Sequence, residues 1–541
     1  MAQTTPGRQI AAVLKQEGVD TVFTLSGGHI LGIYDGCLRE GIRILDFRHE
    51  QAAVHAAEGH ALVTGRPGVA IVTAGPGVTN AVTGIANAFM SGSPVLLLAG
   101  HSPVAQFDMV PLQDLDQLDL MRPITRWARS VYLPERAAEY AAMAFRHMLD
   151  GEPGPVFLEV PIDVLNRPVD DERVRWPEGY RPHARPEGDA EQVSRAIDLL
   201  LGAERPVIVA GTGVWWSQAH EELQRFVEQS KIPVFTHLHG RGTVPDDHDL
   251  CFGPRPPLAT LDADVVLAIG VHFDFTLGYG RFARETKVIQ VDISGQRIGL
   301  NRPVDVAIVG DPKAVLRQLM SGFPNRSELA WTDALREIIA ARREQDEALA
   351  RSDAVPIHPL RLAREVRDLV DRDATLITDG GDISGFGNRM FRSYQPGHNL
   401  TMATPLGCLG VGIPFALAAQ AARPGKQVVV LNGDGTFGLN AMEFDTAVRH
   451  RLPILSVIGN DQGWGMIRHD WRRALGEGET AAVELGLRRY DQMVEALGGH
   501  GEYVERPEDI RPALKRALAS GKPACVNVVV DPNPAGLRPA G

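Results

Sequence analysis

Two carboxylates at strand ends and a glycine turn stand within one short stretch of this chain, residues 428–465, VVVLNGDGTFGLNAMEFDTAVRHRLPILSVIGNDQGWG. Residues 428–431 read as an apolar strand, stopped by Gly433-Asp434-Gly435 with Thr436 behind it. A carboxylate on such a turn stands at the carboxyl edge of a sheet, and the glycines let the backbone approach a phosphate closely. A second apolar run, 454–458, ends in Asn460-Asp461 and brings Asp461 and the Gly463 carbonyl to the same edge. Mg2+ takes few protein oxygens and completes its octahedron with phosphate oxygens and water, so this donor set suits a magnesium–phosphate site. A bare Gly-Asp-Gly is usually a surface turn. Here both strands, the spacing of 27 positions between Asp434 and Asp461, and the terminal Asn-Asp point to ligand binding.

Glu50 is the second anchor. It follows an apolar strand at 42–47 and opens the helix QAAVHAAEGHALVTG. A Glu in that place ordinarily serves only the helix dipole. Further strands are read at 20–25, 68–73, 94–99 and 155–160; the first ends in Ser26-Gly27-Gly28-His29, the third runs into AGPGVTN with Asn80. Continuous apolar strands separated by helices mean a parallel sheet covered on both faces. A linker at 170–188 leads to a second unit, 189–349, with strands at 206–211, 233–238, 264–270 and 287–293; Gly211-Thr212-Gly213 after its first strand hints at a nucleotide fold. The third unit, 356–532, has strands at 375–379, 428–431, 454–458 and 524–530. The fold class expected is α/β, with three doubly wound parallel-sheet domains at 1–168, 189–349 and 356–532. Residues 533–541, NPAGLRPAG, are expected to be a mobile tail able to close over a long substrate arm.

A chain of 541 residues is too long for one core, which agrees with three units. A net charge of −12 with no basic run argues against nucleic acid. Cys37, Cys251, Cys408 and Cys525 are scattered without a CxxC, so neither zinc nor a disulfide framework is indicated. No signal peptide and no membrane span is read, and a cytoplasmic protein is expected.

Taken together these segments resemble the thiamine-diphosphate enzymes over essentially the whole chain, in domain order. The resemblance rests on Gly-Asp-Gly followed by Asn-Asp where the family has an Asn pair, on the strand–His-Glu–helix segment, on GPGVTN (75–80) and on TPLGCLGVGIPFALAA (404–419). Asp461 in place of the second Asn still offers an oxygen to Mg2+. By pattern the chain is similar to acetolactate synthase, oxalyl-CoA decarboxylase and 2-hydroxyacyl-CoA lyase. The resemblance implies thiamine diphosphate and Mg2+ as cofactors, held by an N-terminal pyrimidine-binding and a C-terminal diphosphate-binding domain. Glu50 would face the pyrimidine N1′, with its pKa raised by apolar neighbours. The Gly407 carbonyl would take the 4′-amino group and Leu409 would support the bent cofactor. Gly381, Asp382, Ile383 and Ser384, with Gly433, Gly435 and Thr436, would hold the diphosphate; Asp434, Asp461 and Gly463 the metal. Gly27, Gly28 and Asn80 would line the cofactor, while Trp464 and Met466 would wall the pocket.

On the substrate side His29, which aligns with a small residue in acetolactate synthase, is read as a catalytic proton donor to the substrate oxygen or as a structural histidine; Gln113 matches a pocket glutamine of the family, a hydrogen-bond partner for a carbonyl, with His101 nearby. A homodimer would be the minimal active unit and a homotetramer the assembly. In the central domain Gly211, Arg281, Asp292, Ile293 and Asp311 match positions that contact ADP, the CoA adenosine or FAD. The stretch 237–257 lacks the Met-His-Gly pattern of anabolic acetolactate synthase, which disfavours FAD. The favoured expectation is a reversible 2-hydroxyacyl-CoA lyase (formyl-CoA plus an aldehyde or ketone). The alternatives are an acetolactate synthase-like carboligase acting on pyruvate or another 2-keto acid, and an oxalyl-CoA-type decarboxylase. A non-catalytic paralogue would have lost Glu50 or Asp434, and a flavin dehydrogenase would need a GxGxxG after the first strand.

Overall fold

The computed structural model describes residues 3–254, 262–402, 404–476 and 478–537. Its apolar runs become three parallel sheets flanked by helices, so the expected α/β class holds. The N-terminal sheet comprises β1 Thr21–Thr24, β2 Arg43–Asp46, β3 Gly68–Val72, β4 Val95–His101, β5 Trp127–Ser130 and β6 Val156–Pro161, in the order β2-β1-β3-β4-β6-β5. The central sheet has β7 Pro206–Ala210, β8 Val234–Thr236, β9 Val265–Ile269, β10 Lys287–Asp292 and β11 Val306–Val309, ordered β8-β7-β9-β10-β11. The C-terminal sheet comprises β12 Thr375–Asp379, β13 Asn399–Thr401, β14 Val428–Gly433, β15 Leu455–Asn460, β16 His500–Val504 and β17 Ala524–Val529, ordered β13-β12-β14-β15-β17-β16. The first and last sheets therefore share one strand order.

Four strands of these three sheets were not expected from the sequence: β5, β11, β13 and β16. All four lie at sheet edges. An edge strand has one unpaired side and need not be apolar throughout, so WARS, NLT and HGEYV carry no continuous apolar run. In β11 buried and exposed residues alternate, and Val309 is 52% exposed.

The chain folds into two compact units. One holds the N-terminal sheet together with Leu406–Ala422 and Met442–His450; the other holds the central and C-terminal sheets. In the first, the helix Glu50–Thr64 is buried along almost its whole length and packs against the helix Gly412–Ala422. A Cβ on Gly59 would stand 2.8 Å from Phe415 Cα, so small residues set how closely the two axes approach. In the second, residues 533–537, read from the sequence as the start of a mobile tail, make contacts within their unit. The His358 ring donates from Nε2 to the Ala535 carbonyl at 3.0 Å, Arg389 donates to the Gly536 carbonyl at 3.0 Å, and Leu537 packs on the C-terminal core. The rest of that segment, 538–541, lies outside the described residues, as do residues 255–257 of the stretch compared with acetolactate synthase. Among the described residues no helix is long and apolar enough to cross a membrane.

Candidate active site

In an open α/β sheet, ligands bind beyond the carboxyl ends of the strands where the strand order reverses. In the N-terminal sheet that point lies between β1 and β3, the strands that deliver Gly27-Gly28-His29 and Thr73. A side chain on Gly27 would overlap Thr73, which fixes the glycine there by packing. His29 is buried, and its Nδ1 lies 3.3 Å from Thr73 Oγ1, which in turn donates to Gln113 Oε1 at 3.2 Å. With the Thr73 proton directed at Gln113, His29 donates from Nδ1 and its Nε2 carries the lone pair. Burial, and the nearby charge of His101, hold the ring below its ordinary basicity against the pull of Gln113, so it is neutral at neutral pH. His101 is itself occupied by Ser102 and the Leu115 carbonyl.

Glu50 is buried in the first turn of its helix, where its Oε2 accepts from Asn80 Nδ2 at 3.0 Å. Asn80 thus faces Glu50 from the helix Pro76–Ser91. The approach to Glu50 is held by a residue the sequence did not single out. Glu443 accepts from the Arg48 backbone N–H with both oxygens, at 3.0 and 3.2 Å, and from Thr446 Oγ1 at 2.6 Å. Burial pushes its carboxyl up to about 7, with Thr446 and the Arg48 and His49 backbones opposing. Gly407 and Leu409 belong to the same compact unit as Glu50; Gly407 is exposed with φ 62°, and Leu409 is half-buried.

The C-terminal sheet reverses between β12 and β14. Gly433 pairs with Gly459 on β15, so Asp434 and Asp461 leave neighbouring strands at one edge. Both oxygens of Asp434 are buried without a hydrogen-bond partner among the described residues. Burial and then the charge of Asp461 push the Asp434 carboxyl up to about 8. Burial raises Asp461 too, opposed by Arg468, whose Nη1 lies 3.5 Å from Asp461 Oδ2. A buried carboxylate without donors, facing a second carboxylate, fits a hard cation. Around it a Cβ on Gly381 would stand 2.7 Å from Met466 Cβ, and one on Gly435 2.7 Å from the Trp464 ring. Ser384 Oγ donates to Thr378 Oγ1 at 3.0 Å and Thr436 Oγ1 to Asp379 Oδ1 at 2.8 Å. With these hydroxyls engaged within the sheet, backbone N–H groups are the donors left for a diphosphate. Asp382 accepts from His469 Nδ1 at 2.7 Å, and Ile383 fills the space beneath Gly459.

At the carboxyl edge of the central sheet, Gly211 and Gly213 pack on Gly270, with no room for a Cβ. Asp292 ends β10, its Oδ1 accepting from the Ser294 backbone at 2.8 Å, with Ile293 next to it half-buried. Arg281 is exposed and stacks on Tyr279, its guanidinium carbon 5.2 Å from the ring centre. The Asp311 carboxylate is fully engaged, capping the helix Pro312–Gly322 and accepting from Ser217 and Arg185, each at 2.8 Å.

Comparison with known proteins agrees with this layout. Three family descriptions match in series: thiamine pyrophosphate enzyme, N-terminal TPP binding domain, at residues 4–120; the central domain at 193–319; and the C-terminal TPP binding domain at 379–528. The chain is 43% identical to the acetolactate synthase large subunit IlvG of Mycobacterium tuberculosis, over 98% of this chain and 97% of that protein. It is 33% identical to 2-hydroxyacyl-CoA lyase 2 of Bos taurus, over 97% and 90%. With oxalyl-CoA decarboxylase of Escherichia coli K12 the identity is 31%, over 98% and 96%.

Proposed function

The chain belongs to the thiamine pyrophosphate enzymes, which form or cleave carbon–carbon bonds, and on that premise we propose that it reversibly cleaves a 2-hydroxyacyl-CoA to formyl-CoA and an aldehyde or ketone. Bound thiamine diphosphate supplies a carbon nucleophile for the carbonyl and an electron sink when the adjacent bond breaks. Asp434, Asp461 and the Gly463 carbonyl hold one Mg2+, and the Gly381–Ser384 and Gly433–Thr436 backbones bind the diphosphate. Glu50, held by Asn80 and by the Glu443-anchored turn, shares a proton with the pyrimidine ring. Leu409, Trp464 and Met466 give the cofactor apolar walls.

The observation that carries the substrate reading is the buried His29, its Nδ1 against Thr73 Oγ1, with burial holding the ring below its ordinary basicity. A 2-hydroxyacyl group must lose its hydroxyl proton as the carbon–carbon bond breaks, and a buried, unprotonated imidazole is a base for that step. Gln113, fixed through Thr73, orients the substrate oxygen. Arg281 and Asp292 offer a guanidinium and a carboxylate to the adenosine end of CoA. A second reading, acetolactate formation from two pyruvates, is favoured by the 43% identity to a protein named for that reaction.

A subunit contact is supported by the loop that carries Gln113, where Met109, Val110 and Leu112 are 71%, 88% and 78% exposed. The proposed active unit is a homodimer, in which Glu50 of one copy serves with Asp434 of another. Purified enzyme is incubated with formyl-CoA plus an aldehyde and, separately, with pyruvate. Formation of 2-hydroxyacyl-CoA is the expected result. Rapid acetolactate production with FAD retained by the protein would replace this reading with the second.

A further inference from the structure

One carboxylate interrupts the apolar run of β6. Glu159 stands within PVFLEV (155–160), buried and in register with Ala99 of β4 and Ser130 of β5. Burying a carboxylate is costly unless donors meet its oxygens. Here Ser130 Oγ donates to Oε1, and Gln117 Nε2 donates to Oε2 at 2.7 Å. Burial raises the Glu159 carboxyl above its ordinary range, with Ser130, Gln117 and the charge of His101 opposing. Gln117 is itself buried, at the start of the short helix Gln117–Met121. Its Nε2 also donates to the Gly100 carbonyl at 3.1 Å, and its Oε1 accepts from the Gly75 N–H at 2.7 Å. The three bonds fix which way the amide faces, because its nitrogen only donates and its oxygen only accepts.

What the amide oxygen holds is the turn between β3 and the helix Pro76–Ser91. Gly75 has φ 56°, and a Cβ there would stand 2.8 Å from the Gln113 carbonyl oxygen and 3.0 Å from Gln113 Cα. The Gly75 turn and the segment of Gln113 therefore meet backbone to backbone. Gln113 has φ 62°, a left-handed backbone that a residue with a side chain keeps only where its surroundings hold it. Its backbone rests on the Gly75 turn, and its side chain accepts from Thr73, on the same turn.

We propose that Gln117, oriented by Glu159, is a positioning residue that holds the Gly75 turn against the segment of Gln113 and so sets where the Gln113 amide meets the substrate oxygen. The inference rests on the role proposed above for Gln113, and it holds whichever substrate the enzyme uses. A glutamine here is more than a space filler, since leucine has a similar volume and makes none of the three hydrogen bonds. The consequence is measurable because a misplacement of about 1 Å by a change far from the chemistry can cost about 100-fold in rate.

The test measures kcat per mole of bound thiamine diphosphate, counted by calorimetry, on pyruvate or on formyl-CoA plus an aldehyde, whichever the wild type turns over. Counting by bound cofactor removes losses that come only from unfolded protein. The variants are Gln117→Leu, Gln117→Glu and the exchange of Gln117→Glu with Glu159→Gln, with Gln113→Ala as the reference. In Gln117→Leu, kcat is expected to fall by about 10- to 100-fold. Gln117→Glu alone sets two carboxylates face to face and should lose as much. The exchange keeps acceptors for the Gly75 N–H and for Ser130 and an amide donor between the two side chains, although the Gly100 carbonyl loses its donor. It should recover about tenfold of the loss. A merely structural tie would alter stability and leave kcat per bound cofactor unmoved in every variant. If Gln117→Leu fails to fold, the exchange set against Gln117→Glu still decides. Wild-type kcat in Gln117→Leu beside a slow Gln113→Ala, or no recovery in the exchange, overturns this inference alone. Wild-type kcat in Gln113→Ala overturns the role of Gln113, and this inference with it.

Discussion

The N-terminal and C-terminal sheets have the same strand order and load the same topological position with opposite chemistry. In the first, the two strands flanking the reversal deliver Gly27-Gly28-His29 and Thr73, a neutral hydrogen-bonding set completed by Gln113. In the last, they deliver Gly380-Gly381-Asp382 and Gly433-Asp434-Gly435, an acidic set completed by Asp461. Both use glycine where a Cβ has no room, Gly27 beside Thr73 and Gly380 beside Ile383. Topology therefore chooses where a ligand can sit, and a few side chains make that place neutral in one sheet and acidic in the other. The likeness extends one element further. The helix after the second strand is Glu50–Thr64 in one case and Gly412–Ala422 in the other, and these two equivalent helices pack on each other.

On the proposed function, which gives protons to the first place and a metal-bound anion to the second, substitutions there fail in different ways. The largest effect belongs to the acidic end: Asp434→Ala should abolish thiamine diphosphate binding in calorimetry, and unchanged affinity would reduce the turn to a structural one. Glu50→Gln should instead leave cofactor binding and the circular dichroism spectrum in place. It should lower kcat by about 100- to 10,000-fold, the usual range for general acid–base help. Near wild-type turnover with saturating cofactor and Mg2+ would remove Glu50 from the chemistry.

His29→Gln should slow turnover without touching cofactor affinity. It should also erase the acid limb of the pH–rate profile, whose inflection in the wild type should fall below the ordinary histidine value of 6.5. A profile of identical shape in the variant would leave His29 a packing residue.

A smaller effect is expected at Glu443. Its folded pKa of about 7 stands above its ordinary 4.5, so between these values the folded state holds more proton than the unfolded one. The stability it contributes is complete below pH 4.5 and is lost as pH rises through about 7. Denaturant midpoints should show that loss in the wild type, and Glu443→Gln should flatten it; parallel curves would show that the site does not titrate there. Glu443→Ala leaves the Arg48 N–H unpaired and should cost about 1–3 kcal/mol. The smallest effect is expected for Asp461→Asn, which keeps an oxygen ligand and should retain most cofactor affinity.

What the sequence determined by itself is what short-range pattern encodes. Central strands such as β4, β9 and β14 are buried on both faces, so their residues must be apolar without interruption and are legible. Glu50 after a strand and the Asp434–Asp461 spacing are legible for a related reason, since each places its chemistry at an element's end. The tertiary structure decided whatever depends on which distant segments meet. Edge strands such as β13 and β16 are defined by one neighbour, and no apolar run announces them. The support of the Arg48 turn comes from Glu443, 395 residues further on, and the partner of the Glu50 helix is a segment from the far part of the chain. Contacts between segments so far apart in the chain follow from how the whole chain packs, and no local period or spacing encodes them.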